Sequence, residues 1–260
     1  QRPHDQELIE LPLHTSCVAC ATCWAGATSQ APTQWQNTIH LPFIGGSYGR
    51  TLLLVVGQNF NGYGGLLSNI RLCLLAQSLL LRGHRQLRFE NPRTKYRGSN
   101  LYRRAAVYAA LIVRDDWRLR GNDVMLGGMP LQANHAALAD AFDQLAMLNA
   151  IKCSPNDSRR SAPLGPMYRT CPEQYLQAEI QVLQPKVLLL LGLWMPSDLA
   201  WLQATKVASE GPVSLYDAGL GLRAICVPHP AASKPSGMSR VHITDLARLI
   251  DRPGRKPLCP

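Results

Sequence analysis

The chain has 260 residues, 46% hydrophobic and 17% charged, which suits one large globular domain or two small ones at roughly 150 residues each and excludes a disordered chain. Its 27 Lys and Arg outnumber its 17 Asp and Glu, a net charge of +10 that favours a polyanionic partner, nucleic acid first among them. The longest apolar run, residues 187–195, is less than half of the roughly 20 residues a membrane-spanning helix needs, and the start lacks a basic-then-apolar signal pattern. A soluble, cytoplasmic protein without a membrane partner is therefore expected.

Residues 1–50 read as an N-terminal arm and residues 51–260 as a single α/β body. The body opens with a near-continuous apolar run at 51–57 (TLLLVVG), and three more follow at 145–152 (LAMLNAIK), 186–192 (KVLLLLG) and 223–228 (RAICVP). Such runs predict strands buried on both faces, as in parallel sheets. Apolar residues spaced three to four apart predict helices over 65–81, 135–145, 171–183 and 196–205, with a last one over 240–250 after a Pro/Ser/Lys loop at 231–239. Strands alternating with helices predict a three-layer α/β/α domain around a central parallel four-stranded sheet. Residues 83–132, Arg-rich and Gly-containing, read as an insertion partly in loops. There Arg93, Lys95, Arg97, Arg103 and Arg104 crowd around Tyr96 and Tyr102, where arginine can fork onto phosphate and tyrosine can stack on bases.

In this fold class, binding residues gather at the C-terminal ends of the strands. The first strand runs into Gly57-Gln58-Asn59-Phe60-Asn61-Gly62-Tyr63-Gly64-Gly65, whose glycines let backbone amides approach a ligand, but which has neither P-loop nor dinucleotide spacing. The second ends at Asn149, expected to face inward with a carboxamide that needs partners and has the donor and acceptor set to read a pyrimidine edge. The fourth ends in Val227-Pro228-His229-Pro230, which fixes a histidine between prolines at the same sheet end. Eight cysteines, unevenly spaced, are too sparse for a disulfide scaffold.

In order and spacing these segments resemble the uracil-DNA glycosylase superfamily, most closely its iron–sulfur members. Residues 55–61 stand where that superfamily has its water-holding first motif, and 149–155 resembles its Thr-Asn-x-x-Lys-Cys-x-Pro segment. Cys171-Pro172-Glu173-Gln174-Tyr175-Leu176 with the following strand resembles its Cys-x-x-Tyr-Leu helix and strand, and His229-Pro230 matches the start of its His-Pro-Ser motif. About two-thirds of the chain is covered, in the right order. The resemblance implies a monofunctional DNA N-glycosylase that flips a nucleotide out of the duplex and cleaves its glycosidic bond. In it, His229 would stabilise the base anion, Asn149 would read the base edge, Asn59 would position the water, and Gln58, Phe60, Asn61 and Tyr63 would line the base pocket.

Cys17-x2-Cys20 and Cys153-x17-Cys171 are two pairs far apart in sequence, the ligand arithmetic of a four-thiolate site. Zinc and iron–sulfur both suit four thiolates; the resemblance favours a [4Fe-4S] cluster tying the arm to the body, with Cys23 an alternative to Cys17. Cys73, Cys226 and Cys259 are expected to be core or tail thiols. Three departures from the family pattern shape the expected substrate. Asn59 replaces the usual acid and positions water without deprotonating it, with Asp157 a speculative substitute. Phe60-Asn61 replaces a bulky gate, which points to a C5-modified pyrimidine such as hydroxymethyl- or glucosyl-hydroxymethylcytosine, or to uracil, in repair or in defence against modified phage DNA. Ser233 and Lys234 replace the family's apolar wedge and would contact phosphate, as would Arg97 and Arg103, so binding is expected to weaken steeply with salt. The competing readings are a catalytically silent iron–sulfur or zinc protein that binds nucleic acid, and a site for a free nucleoside. No obligate protein partner is implied.

Overall fold

The computed structural model describes residues 42–57, 69–83, 101–151, 168, 170–192, 200–229 and 237–251. In chain order they form β1 (Phe43–Ile44), β2 (Leu53–Gly57), α1 (Asn69–Leu81), α2 (Leu101–Val113), β3 (Trp117–Arg120), β4 (Asp123–Leu126), β5 (Met129–Pro130), α3 (His135–Asp143) and β6 (Leu145–Asn149). A π turn (Pro172–Leu176) then leads into α4 (Gln177–Leu183), followed by β7 (Val187–Leu191), β8 (Thr205–Glu210), β9 (Val213–Asp217), β10 (Arg223–Val227) and α5 (Gly237–Ile250). No helix among the described residues is long and apolar enough to cross a membrane.

All four expected strands are present, and they are neighbours: β6, β2, β7 and β10 pair in parallel in that order. The expectation of a four-stranded sheet is corrected, because β1 adds antiparallel to β6 while β9 and then β8 add antiparallel beyond β10, giving a mixed sheet of seven. A two-residue β1 is too short to leave a pattern. β8 is a largely exposed edge strand with a bulge between Lys206 and Ala208, so it carries no apolar run. The helix expected over 196–205 is also corrected in its described part: a short 3-10 turn at Ala200–Leu202 gives way to β8 at Thr205.

Continuous apolar runs arise because both faces of the parallel strands are covered. Leu53, Val55, Leu145, Met147, Val187, Leu189, Leu191, Ile225 and Val227 join one cluster together with residues of α1, α2, α3 and α5. The alternate residues Leu54, Val56, Ala146, Leu148, Leu188, Leu190, Ala224 and Cys226 join a second, packed with Leu176, Ile180, Leu183 and Trp201. Burying one such aliphatic side chain stabilises by roughly 1.5–3 kcal/mol before conformational entropy is set against it.

The stretch read as an insertion partly in loops is, from Leu101 on, a helix followed by the small sheet β3-β4-β5. Every residue of α2 from Ala105 to Ile112 is buried in the larger cluster, so this helix is core and not a peripheral wall. Its alanines bring α2 close to α3. The start of the sheet is held by side chains that replace missing backbone partners: Asp143 accepts from Ser47 Oγ at 2.8 Å, Gly46 N at 3.2 Å and Gln77 Nε2 at 3.3 Å, and Thr51 Oγ1 donates to the Gln144 carbonyl.

Candidate active site

Along the sheet the parallel strands stand in the order second, first, third and fourth of their appearance in the chain. The chain leaves β2 towards one side to form β6, then returns past β2 to form β7. Connections therefore diverge between β2 and β7, and the C-terminal ends of strands at such a switch point are where ligands bind in open α/β sheets.

Gly57, the last residue of β2, pairs with Asn149, the last of β6, and the pairing is extended by Ala150 N donating to Gly57 O at 2.8 Å. Asn149 is 9% exposed, and no described residue hydrogen-bonds its carboxamide. A buried amide is costly unless its hydrogen bonds are completed. On the other side, Gly192 N donates to Val227 O at 2.9 Å and Cys226 Sγ donates to Gly192 O at 3.1 Å, binding the ends of β7 and β10 together. His229 follows two residues after Val227, half-buried, and burial holds its imidazole below the usual histidine range. It is thus the neutral form that predominates near neutral pH. Three inter-strand steps of about 4.8 Å separate β6 from β10, about 14 Å between backbones, a width suited to a ring-sized ligand flanked by two side chains.

The structure brings Asn149 and His229 to one edge of the sheet. Gln58, Asn59, Phe60, Asn61 and Tyr63, which directly follow β2, lie outside the described residues, as do Arg97, Asp157, Ser233, Lys234, Cys17, Cys20, Cys23 and Cys153. Arg103 sits in the first turn of α2, where Nη2 donates to the Gln132 carbonyl and Nη1 lies 3.4 Å from His135 Nδ1. Tyr102, expected among the base-stacking aromatics, is buried at 6% exposure with its ring 6.5 Å from that of Phe142. It belongs to the core and does not present a face to bases.

Of the expected cluster ligands only Cys171 is described; it is fully buried where the helix leading into α4 begins. That helix returns from the C-terminal edge of the sheet, which is also where β6 ends. Cys73 and Cys226 are core thiols, as expected; burial pushes the Cys73 thiol up and that of Cys226 to about 12, leaving both unreactive near neutral pH.

Two features near this edge left no mark in the sequence. The β8–β9 turn reaches the same edge, since Glu210 pairs with Val213 and Ser214 with Cys226. Against it stands Asp245 of α5, 6% exposed, with Oδ2 lacking a hydrogen-bond partner among the described residues. Gly211, at φ +51°, has room for that oxygen only because it is glycine: a Cβ there would lie 2.5 Å from Asp245 Oδ2. The second feature is the approach of Gly57 to Asn149, which no motif spacing reports. No family model and no curated protein matches the chain.

Proposed function

We propose that the protein is a DNA glycosylase of the uracil-DNA glycosylase type, hydrolysing the N-glycosidic bond of a flipped-out, non-standard pyrimidine and leaving an abasic site. The observation that carries this reading is the meeting, at the C-terminal edge of the sheet, of a buried carboxamide with no hydrogen-bond partner among the described residues and a half-buried histidine whose pKa burial lowers, carried by strands three steps apart. The parallel quartet β6-β2-β7-β10, with helix residues in both apolar clusters, supports this reading.

The reaction breaks the bond between C1′ and the base nitrogen, adds a water oxygen to C1′, and returns the proton to the departing base. Positive charge grows on the sugar and negative charge on the base, so the useful protein groups are hydrogen-bond donors aimed at the base and a placed water. Neutral His229 donates to the base oxygen on which charge collects. Asn149, with a donor and an acceptor on one planar group, pairs with the base edge and selects it. Asn59 holds the water, which an oxocarbenium-like centre attracts without prior deprotonation. Ser233, Lys234, Arg97 and Arg103 would meet phosphates, and an open Phe60-Asn61 gate would admit a C5 substituent. Cys17, Cys20, Cys153 and Cys171 would hold a [4Fe-4S] cluster whose contribution is structural, fastening the N-terminal arm. A cytoplasmic role in repair or in defence against modified DNA is consistent with this chemistry. The silent-binder reading draws its support from Asn59 standing where the family places an acid.

The test is alkaline strand cleavage by purified protein on duplexes carrying uracil, hypoxanthine, 5-hydroxymethylcytosine or its glucosylated form. Cleavage of at least one pyrimidine substrate is expected, falling about 100-fold or more in Asn149→Ala and in His229→Ala. Cleavage of uracil alone removes the open gate; silence on every duplex, with tight DNA binding, favours the non-catalytic reading.

A further inference from the structure

Gly57 is a glycine that its strand gives no backbone reason to keep. It closes a fully buried parallel strand, and it is absent from the residues with positive φ. Glycine in such a place packs nothing and is more costly to order than alanine. A methyl at Gly57 would fall well inside contact distance of Asn149 Oδ1, while the next nearest atoms, Asn149 Cγ at 3.6 Å and Leu148 O at 3.7 Å, lie at ordinary contact. Among the described residues one movable side-chain atom stands in its way and no backbone atom does. Gly45 shows the opposite case: a Cβ there would collide with the Asp143 carbonyl, with its carbon at 2.6 Å and Leu145 O at 2.9 Å, so two chain segments would have to part.

We propose that Gly57 is a positioning residue for Asn149: the side chain it lacks is the space the carboxamide occupies, and this fixes where the carboxamide stands at the C-terminal edge of the sheet. The proposal rests on the reading of Asn149 as the group that recognises the base. No described residue hydrogen-bonds that carboxamide, so packing against the Gly57 backbone supplies the constraint that a hydrogen bond would otherwise supply. Alanine at 57 keeps the strand and pushes the amide aside by the better part of an ångström, and a misplacement of about 1 Å in a recognition group costs about 100-fold in rate.

The experiment compares Gly57→Ala and Gly45→Ala in the full chain by thermal unfolding, by the 15N–1H side-chain amide signals of Asn149, and by turnover on the duplex identified in the cleavage screen. The amide pair is assigned by its loss in Asn149→Ala, and turnover is read in a double-mutant cycle between Gly57→Ala and Asn149→Ala. Expected for Gly57→Ala are a Tm at or above that of the parent, a displaced Asn149 amide pair, about 100-fold lower kcat, and a double variant no slower than Asn149→Ala alone. An unmoved amide pair, additive losses in the cycle, or a Tm drop comparable with that of Gly45→Ala overturns the proposal. If the parent protein cleaves no duplex, the glycosylase reading fails on its own, and the amide signals still decide the role of Gly57.

Discussion

His229 gains its chemistry from burial. A histidine on the surface would be partly cationic at pH 6, whereas desolvation disfavours the charged ring and lowers its pKa. If the neutral ring is the donor to the base oxygen, turnover should stay level on lowering the pH from 8 through the ordinary histidine value near 6.5 and fall only below it. A pH–rate profile of kcat checks this, and a profile that rises on acidification through 6.5 would assign the work to the cation. The placement of Asn149 and His229 at the C-terminal edge of the sheet was legible from sequence because the apolar runs that become β6 and β10 lead straight into them. Gly57 was not: the run predicts a strand ending there, but the atom it accommodates belongs to a residue 92 positions away and appears only once β2 and β6 pair.

The elements show where periodicity succeeds and where it fails. Strands covered on both faces become contiguous apolar runs, so β2, β6, β7 and β10 were recognisable; the partly exposed β8 and the two-residue β1 were not. Helix α2 escaped because residues 105–113 (AAVYAALIV) are apolar on every side, leaving no polar face from which a helical period could be read. Its arginines cluster in the first turn and drew attention to charge instead. Near α2, the α5 residue Asp245 meets Glu210 from β8, His242 and Arg248 from α5 itself, and Tyr108 from α2. Burial first, and Glu210 second, raise the Asp245 carboxyl above its ordinary value, while His242 and Arg248 oppose the shift. A raised carboxyl favours the folded state at low pH and loses that contribution as the pH climbs through its folded value. Asp245→Asn should therefore raise stability by about 1 kcal/mol near neutral pH and by less near pH 4, as read from urea unfolding at the two values. Equal gains at both would show that ionisation is not what burdens this position.

For the molecule as a whole, a charge of +10 is a property of the surface field and not of the fold. If DNA is the partner, each phosphate neutralised contributes about 0.9 to the slope of log affinity against log salt, so several contacts produce a steep fall between 50 and 200 mM salt. A flat dependence in a fluorescence-anisotropy titration would remove DNA from consideration.

The sequence by itself determined the α/β class, the four parallel strands and the placement of Asn149 and His229 at or just past two strand ends, because burial on both faces is local in the chain. Only the tertiary structure decided the order β6-β2-β7-β10, the antiparallel flanks, the central place of α2, and the contacts of Gly57 with Asn149 and of Gly211 with Asp245. These depend on which distant segments meet, and a one-dimensional pattern records how each segment is buried without recording what buries it.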